Sequence, residues 1–369
     1  MQNSQPCRLQ CRWSAAPERH EQILSIILGY WQANALGLAT KLGLADLLAE
    51  GPLQVEELAG RTGANAGALF RMLRALESIG IFTQTDRRTF ANTPVSELLR
   101  NDSPDSQAAG VVHQLCKGNG SYEAWNEFEH TIMTGESAIN KIYGCDFFEF
   151  LQSNPQANEA MNRAMRSIST AITPAVTDAY DWGKFQEIVD VGGGIGTQIV
   201  SILNAFPLTK GVVFDLPHVV AEAIPHERLK ATGGSFFEWA PSGADAYLLR
   251  FILHDWSDEN AAAILRAVRC SMKPSATLIL AEWLIPEGPE HDLSKWTDLH
   301  MMVLFQGARE RTRTELSRLL TTAGFESEEA VPTGSSVTLL VAKPTEQGLG
   351  TRGSSRQTVM NRPAIVNDR

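Results

Sequence analysis

The chain has 369 residues, of which 43% are hydrophobic and 20% charged, and its net charge at pH 7 is −10; this length favours two domains in an ordinary soluble globular protein. The sequence contains no run of eighteen apolar residues and no basic, apolar leader, which argues against a membrane span and a signal peptide. Five scattered cysteines without CxxC or zinc spacing are typical of reduced thiols and favour a cytoplasmic location.

The amino-terminal third is predicted to be a separate module, with residues 19–115 following a flexible tail of residues 1–18. Apolar helical patterns at 23–31 and 33–48 leave little polar surface, which indicates that a second copy of the chain covers them. A helix-turn-helix pattern and then a short hairpin pattern, over residues 55–90, complete a winged-helix-like dimerisation domain.

Winged helices also occur in regulators that bind DNA, which makes nucleic acid a candidate partner of this module. Residues 19–100, however, contain eight Lys or Arg residues and eight Asp or Glu residues. A surface that binds phosphates normally carries a basic excess. We therefore expect this module to form a homodimer and to bind no nucleic acid.

The most informative stretch is EIVDVGGGIG at residues 187–196, followed by VVFDLPH at residues 212–218. It predicts a buried strand, a glycine turn, a helix over 197–205 and a second strand that ends at Asp215. Such a unit binds a nucleotide-like ligand, because glycines allow close backbone approach and the acid accepts bonds from ribose hydroxyls. Ile199 stands where the dinucleotide fingerprint has its third glycine, which favours S-adenosylmethionine over a nicotinamide cofactor.

Two further strand patterns lead into polar residues, since residues 244–253 run into His254 and residues 276–281 end at Glu282. Because open α/β sheets bind ligands at the carboxyl ends of their strands, both side chains are candidates for a site there. The alternating strands and helices of residues 181–343 predict a Rossmann-like, doubly wound α/β sheet.

The segments on either side of this sheet differ in composition. Residues 116–180 are rich in aromatic and methionine side chains, and we expect linking helices that contribute to a substrate pocket while most of their apolar residues pack in the core. Residues 344–369 are polar and contain several glycines, which predicts a disordered tail.

Five short motifs occur in one order over about residues 20–343, and together they resemble one family. They are Gly192-Gly-Gly-Ile-Gly196, Phe214-Asp-Leu-Pro-His218, His254-Asp-Trp-Ser-Asp258, Ala281-Glu282 with Leu284-Ile-Pro286, and Arg309-Glu-Arg-Thr312. The family is that of the small-molecule O-methyltransferases, which includes plant caffeic acid and isoflavone enzymes and bacterial and fungal relatives. The resemblance implies a class I methyltransferase fold, S-adenosyl-L-methionine as methyl donor, and a small aromatic acceptor whose phenolic hydroxyl is methylated in secondary metabolism.

The resemblance also implies roles for individual residues. The catalytic residues would be His254, Glu282 and Glu310. The cofactor contacts would be Gly192, Gly194, Asp215, Ser235, Phe236 and Arg250. The substrate contacts would be Tyr122, Trp125, Met165, Met301 and Phe305. Three of these positions depart from the plant pattern, because Ser235, Arg250 and Phe305 stand where plant enzymes have an acid, a lysine and an asparagine.

Methyl transfer to a phenol needs a base, because a phenol with a pKa of about 10 is a poor nucleophile until it loses its proton. A neutral histidine suits that task near neutral pH, so we expect His254 to be the general base. A carboxylate beside the imidazole would orient it and stabilise its charged form, which is the role expected for Glu282 and Glu310. No metal is expected, since the sequence shows no carboxylate cluster dedicated to magnesium.

Three other functions stay open from the sequence. A nicotinamide-dependent oxidoreductase is disfavoured by the glycine spacing. A catalytically silent regulator that binds S-adenosylmethionine is disfavoured by the neutral winged helix and by the presence of His254, Glu282 and Glu310. An enzyme of the same fold that hydroxylates or decarboxylates its substrate is not distinguished by these motifs, and the acceptor itself cannot be read from the sequence.

Overall fold

The structure, a computed structural model, describes residues 17–103 and 105–345. The predicted flexible and disordered tails, residues 1–18 and 344–369, lie almost entirely outside the described residues and stay predictions. The helices and strands of the amino-terminal module are α1 (Pro17–Lys41), α2 (Leu44–Leu47), β1 (Leu53–Gln54), α3 (Val55–Thr62), α4 (Ala66–Glu77), β2 (Phe82–Asp86) and β3 (Thr89–Asn92).

The predicted helix-turn-helix and hairpin are both present in this module. Asn65 accepts a hydrogen bond from the Ala68 N–H and so caps α4, while β1, β3 and β2 form a small antiparallel sheet. The two apolar patterns predicted at 23–31 and 33–48 belong mostly to one continuous helix, α1. No helix breaker separates them, and the helical run is interrupted only near Gly43, whose φ is +65°.

The first half of α1 exposes a row of large apolar side chains. They are Ile23, Ile26, Ile27, Tyr30 and Trp31, and their exposed fractions range from 48% for Ile27 to 67% for Ile26. By length and hydropathy alone residues Arg19–Lys41 could cross a membrane, and 17% of the apolar window is buried within the chain. The expected absence of a membrane span therefore stays an expectation. An uncovered apolar face of this size equally marks a protein–protein interface.

A set of short helices and one long helix connect the module to the main sheet: α5 (Ala108–Leu115), α6 (Ser121–Asn126), α7 (Phe128–Thr134), α8 (Ala138–Tyr143), α9 (Phe147–Ser153) and α10 (Pro155–Asp178). Helix α5 packs against both α1 and α10. A buried cluster that includes Phe147, Phe150 and Ile139 joins these helices to the carboxy-terminal part of the chain.

The remaining residues form one large mixed sheet with helices on both faces. Its elements are β4 (Glu187–Val191), α11 (Thr197–Ala205), β5 (Lys210–Asp215), α12 (Pro217–Val220), β6 (Leu229–Gly233), β7 (Ala246–Arg250), α13 (Asp258–Ser271), β8 (Thr277–Ile285), α14 (Leu293–Leu304), β9 (Arg311–Thr312), α15 (Arg313–Thr322), β10 (Phe325–Pro332) and β11 (Val337–Pro344).

The strand order in this sheet is β10-β11-β8-β7-β4-β5-β6. The strands from β8 to β6 are parallel, and β11 and β10 add an antiparallel edge. Buried aliphatic residues cover both faces, which confirms the predicted doubly wound α/β class. The chain leaves β4 towards β5 on one side, whereas β7 lies on the other side, so the loops after β4 and β7 diverge. A crevice opens at such a switch point, and ligands bind there.

Two predicted strand boundaries were wrong. The strand predicted over 244–253 ends at Arg250, because Phe251 adopts a φ of +54°, which strands do not contain. The strand predicted to end at Glu282 continues to Ile285, since its last residues pair with β11 and with β9. Both deviations lie beside the crevice.

Candidate active site

The turn after β4 leaves room for a ligand against its backbone. Gly192 and Gly194 have φ values of +70° and +61°, which favour glycine. A Cβ on Gly192 would lie 2.4 Å from the Ile252 side chain, whereas nothing would lie within 4 Å of a Cβ on Gly194. The backbone at Gly194 thus faces open space, and this fits close approach by a cofactor.

Asp215 ends β5 next to this turn. Its Oδ2 accepts a hydrogen bond from the Gly194 N–H at 2.8 Å, and its Oδ1 accepts one from the Leu216 N–H at 2.7 Å. A carboxylate oxygen has lone pairs for more than one donor, so Asp215 can hold the glycine turn and still accept a bond from a ribose hydroxyl. These residues therefore fit the cofactor that the glycine spacing predicts.

Ser235 and Phe236 come to the same crevice. The Gly234 N–H donates to the Asp215 carbonyl oxygen at 2.9 Å, which places the two residues beside the end of β5. The Phe236 ring lies 3.5 Å from the position of a Cβ on Gly192 and packs edge-on against Trp256. The structure thus brings Ser235 and Phe236 next to the glycine turn.

Arg250 differs from the other predicted cofactor contacts. Its guanidinium donates to Ser169 at 2.9 Å and Thr173 at 3.0 Å on α10, and to Gln198 at 3.2 Å on α11. Its charge also opposes the effect of burial on Asp190, a fully buried carboxyl whose pKa burial raises to about 7. Arg250 thus joins α10 to the helix that follows the glycine turn, and its direct contact with the cofactor stays a prediction.

His254 follows β7 and faces two acids. Its Nδ1 lies 2.9 Å from Glu310 Oε1, and its Nε2 lies 3.4 Å from Asp255 Oδ1. Only the Glu310 contact is a hydrogen bond, so Nδ1–H donates to Glu310 in the tautomer that this contact selects, while the longer Asp255 contact acts on Nε2 by charge. Nε2 is then the nitrogen whose lone pair is available to accept a proton.

Glu282 lies near the imidazole, as predicted, but it makes no hydrogen bond to the ring. Its Oε1 accepts bonds from the N–H groups of Ile252 at 3.3 Å and Leu253 at 3.0 Å, while its Oε2 is buried without a partner. Glu282 therefore fixes the backbone that leads to His254 and acts on the ring by charge alone. The reason is the continuation of β8, which places Glu282 beneath the loop.

Asp298, Arg311 and Asp255 also contribute to the site, and the sequence interpretation gave them no role. Asp298 on α14 accepts a bond from the Glu310 N–H at 2.9 Å. Arg311, only 3% exposed, donates to the Leu253 and Trp256 carbonyl oxygens and to Asp258. Asp255 and Arg311 lie inside the motifs 254–258 and 309–312, so those motifs could have identified them. Nothing in the sequence pointed to Asp298.

The Phe251 backbone is strained next to the histidine. A φ of +54° is unfavourable for a residue with a bulky side chain, and such strain concentrates at functional sites. The strained turn lays the Phe251 ring against His254 with 5.6 Å between ring centroids, and the Trp283 ring packs against Phe251 with 4.7 Å between centroids. Phe251 therefore restricts rotation of the imidazole.

Burial and neighbouring charges act in opposite directions on His254. Burial alone would lower its pKa, but the carboxylates of Asp255, Glu310 and Glu282 outweigh burial and raise the pKa to about 10. Burial raises the pKa of Glu282 to about 7 and that of Asp255 to about 6, although His254 opposes both shifts. The sequence interpretation assumed a neutral imidazole; the acids around it instead favour the protonated form when no ligand contributes charge.

The spacing of this cluster also bears on metals. Ligand atoms of His254, Glu282 and Glu310 lie within 4.8 Å of one another. Because Nδ1 and Glu310 Oε1 already form a hydrogen bond, the same arrangement serves proton transfer without an ion. The expectation that no metal takes part is therefore still an expectation.

The predicted substrate contacts fall into two groups. Met301 and Phe305 are 7% and 8% exposed and belong to the buried cluster around Phe147. The Phe148 ring packs against both Phe305 and Trp256, and Trp256 lies in the loop that carries His254. The others lie further towards the surface: Tyr122 is partly buried, Trp125 is 37% exposed and Met165 is 38% exposed.

Two family models match this chain. An O-methyltransferase domain covers residues 125–326, and an O-methyltransferase dimerisation domain covers residues 24–102. A phenazine O-methyltransferase of Lysobacter antibioticus is 40% identical over 87% of this chain and 95% of its own length. A 3-amino-4-hydroxybenzoate 4-O-methyltransferase of Streptomyces cremeus is 35% identical over 86% and 88%.

Among solved structures, human N-acetylserotonin methyltransferase in complex with S-adenosylmethionine superimposes with a TM-score of 0.82 at 26% identity, covering 90% of this chain and 99% of that one. The amino-terminal module with the apolar helix is thus a dimerisation domain, and the cofactor of this family is S-adenosylmethionine. The crevice beside the glycine turn stays the predicted place for it. The chain belongs to the S-adenosylmethionine-dependent O-methyltransferases.

Proposed function

We propose that this enzyme methylates a phenolic hydroxyl of a small aromatic metabolite, with His254 as the general base. The observation that carries the proposal is the 2.9 Å contact between His254 Nδ1 and Glu310, which leaves Nε2 to accept a proton beside the cofactor crevice. The names of the relatives support the acceptor class, since phenazine and hydroxybenzoate enzymes act on aromatic rings.

Proton removal is the part of the reaction that these side chains perform. When bound, S-adenosylmethionine supplies an electrophilic methyl group on a positively charged sulfur. His254 takes the hydroxyl proton at Nε2, and Glu310 stabilises the resulting imidazolium through Nδ1. Phe251 and Arg311 keep the ring and its loop in place, so that the acceptor oxygen and the base stay aligned.

The raised pKa of His254 matters for this role. A cationic ligand in the crevice would lower the pKa of His254, because two positive charges repel each other. The acids around the ring thus make Nε2 a strong base, and cofactor binding favours the unprotonated form in which it acts. The neighbouring acids therefore raise the pKa of His254, whereas the bound cofactor lowers it.

We predict that the rate of methyl transfer rises with pH along a limb set by His254. Only the unprotonated ring accepts a proton, and the pKa of His254 is raised above its ordinary 6.5, so the midpoint should lie above 6.5. Asp255→Asn removes the neighbouring charge that contributes most to raising this pKa. In that variant the midpoint of kcat/KM against pH should move to lower pH.

The matched variant for this measurement is Asp258→Asn. Asp258 lies in the same motif but bonds Arg311 and not His254. Its midpoint should match that of the unmodified enzyme. An unchanged midpoint in Asp255→Asn, or an equal shift in both variants, would show that another group controls the rate.

The acceptor class is tested by incubating the enzyme with S-adenosylmethionine and panels of phenols, naphthols and hydroxyquinolines. Mass spectrometry should detect the gain of one methyl group on oxygen, shown by comparison with authentic methyl ethers. Products that gain a hydroxyl or lose carbon dioxide would instead favour the alternative chemistry of the same fold. No methyl gain on any aromatic hydroxyl would contradict the proposal.

We also propose that the enzyme is a homodimer held largely by α1 and that it works in the cytoplasm. The exposed row on α1 lies inside the region matched by the dimerisation model. Homodimer interfaces of this kind bury on the order of 2,000 Å² or more. We infer that residues 116–180 and Tyr122, Trp125, Met165, Met301 and Phe305 line or support the acceptor pocket.

Ile26→Asp should convert the dimer to monomers. Ile26 is 67% exposed in the isolated chain, and a carboxylate there would be buried without a partner in each half of the interface. Ser25→Asp adds the same charge at an exposed polar position on the opposite side of α1 and should stay dimeric. Analytical ultracentrifugation at micromolar concentration distinguishes one from two copies of 40.4 kDa. A dimeric Ile26→Asp variant would show that the interface lies elsewhere.

A further inference from the structure

A hydrogen-bonded chain of polar side chains joins α5, α6 and α14. Trp125 Nε1–H donates to His300 Nδ1 at 3.0 Å, and the Gln114 amide lies 3.2 Å from His300 Nε2. Ser121 completes the chain by bonding Gln114 at 2.6 Å. An indole N–H can only donate, so Nδ1 of His300 is an acceptor and its Nε2 carries the proton. Nε2–H then donates to the Gln114 amide when the amide oxygen faces the ring and the amide NH2 faces Ser121. Both ring nitrogens of His300 are therefore occupied.

His113, next to Gln114 in the chain, has no such partners. It is 1% exposed, its Nδ1 is sealed from solvent without a hydrogen bond, and no bond to its Nε2 occurs among residues 17–103 and 105–345. Buried polar atoms are nearly always paired, and an unpaired one often marks a missing ligand. A neutral imidazole in this position offers an N–H donor that nothing in the described chain uses.

This histidine packs close to Phe305, one of the predicted substrate contacts. Its ring is 6.4 Å from that of Phe147, which in turn packs edge-on against Phe305 at 5.1 Å. Besides burial, His113 lowers the pKa of His300 electrostatically. His300 is half a helical turn from Asp298, which accepts a hydrogen bond from the Glu310 N–H. The unpaired imidazole thus belongs to the wall between the linking helices and α14.

The charges of this region favour an uncharged ligand group. Burial lowers the pKa of His113 to about 4, and burial together with His113 lowers that of His300 to about 4, so both rings are neutral. Asp298 lies two residues from His300 on α14 and bonds the backbone of Glu310, so acidic side chains are close to this region. An anionic ring substituent would be desolvated beside acids with no charged imidazole to neutralise it.

We propose that His113 recognises an uncharged heteroatom of the acceptor, a ring nitrogen or ring carbonyl, by donating a hydrogen bond to it. The inference rests on the proposed function, because it specifies the kind of aromatic hydroxyl compound that the enzyme methylates. His300, Trp125 and Gln114 hold the wall in which His113 is fixed. A site built to donate a hydrogen bond rejects an isostere that lacks the acceptor, because its buried donor is then left unpaired.

The test compares acceptors that differ by one ring atom. Hydroxyquinolines with the nitrogen at different positions are compared with 1-naphthol and 2-naphthol, and with hydroxynaphthoic acids as anionic analogues. The kcat/KM of the best hydroxyquinoline should exceed that of its naphthol isostere by about tenfold or more. The hydroxynaphthoic acids should be the poorest acceptors.

Variants of His113 separate recognition from packing. His113→Phe keeps a planar ring without a donor, and the preference for the ring nitrogen should fall close to one. His113→Gln keeps a donor and should restore part of the preference. The ratio between two acceptors in one variant removes differences in the folded fraction. Dividing it by the same ratio in the unmodified enzyme removes the difference in hydroxyl acidity between the two acceptors.

The outcomes are distinguishable from a failure of the proposed function. Equal use of naphthols and hydroxyquinolines, or a preference for the acids, would overturn this inference and leave the methylation of aromatic hydroxyls intact. An equal loss of preference in His113→Phe and His113→Gln would make His113 a packing residue only. No methyl gain in any of the three panels would overturn the proposed function itself.

Discussion

His254→Gln is expected to lower kcat by about 10²–10⁴ and not to weaken the binding of S-adenosylmethionine, since it removes a positive charge that repels the cofactor. A glutamine side chain can bond Glu310, but it cannot accept the hydroxyl proton at the position of Nε2. We expect the glycine turn and Asp215 to hold the cofactor, and His254 bonds neither of them, so binding should persist. Steady-state kinetics and calorimetric titration measure the two quantities separately.

His291→Gln is the matched control for this variant. His291 is an exposed histidine on the loop before α14, and the same substitution there should change neither quantity. Turnover near that of the unmodified enzyme in His254→Gln, with an acceptor of ordinary acidity, would mean that another group removes the proton. A parallel loss of cofactor affinity would mean that the substitution disturbs the crevice.

Asp215→Asn should weaken S-adenosylmethionine binding by roughly 1.5–3 kcal/mol, since it removes a charge-assisted hydrogen bond to the ribose. That corresponds to about 10–100-fold in the dissociation constant. The amide can keep one of the two backbone bonds that Asp215 makes to Gly194 and Leu216, so the turn itself should survive. Titration with S-adenosylhomocysteine as well as the cofactor excludes a contribution from turnover.

Asp245→Asn provides the comparison, because Asp245 accepts backbone N–H bonds at the other end of β4. It bonds Gln186, Glu187 and Lys273, away from the glycine turn. We expect this variant to lose some thermal stability and to bind the cofactor normally. Equal losses of affinity in both variants would show that Asp215 acts through the fold and not through a direct contact.

Much of the fold could be predicted from the sequence because its signals are local. The apolar strand before Gly192, the acid at Asp215 and the helix over 197–205 follow from residue order and spacing, and the structure has each of them. The end of β7 could not be predicted in this way. The strand ends there because Phe251 has a positive φ, and its ring packs against Trp283 and His254. The hydrophobic pattern of the sequence does not indicate such a backbone conformation.

The candidate site likewise has residues that the sequence identifies and contacts that only the folded chain reveals. His254 and Glu310 lie in motifs, and their mutual contact agrees with the arrangement that those motifs imply. The partners of Glu282 and Arg250 depended on tertiary geometry, since each side chain had several polar groups within reach. Sequence order also gave no reason to place Asp298 beside Glu310, because they lie on different elements that meet only in the folded chain.

The central claim is that His254 takes the acceptor proton during methyl transfer. The direct measurement is the single-turnover rate for a series of phenols of increasing acidity, in the unmodified enzyme and in His254→Gln. Without its base the variant should depend steeply on phenol acidity, so its deficit should shrink as the phenol pKa falls below the assay pH. A deficit of constant size across the whole series would contradict the claim, because it would show that His254 does not act on the proton.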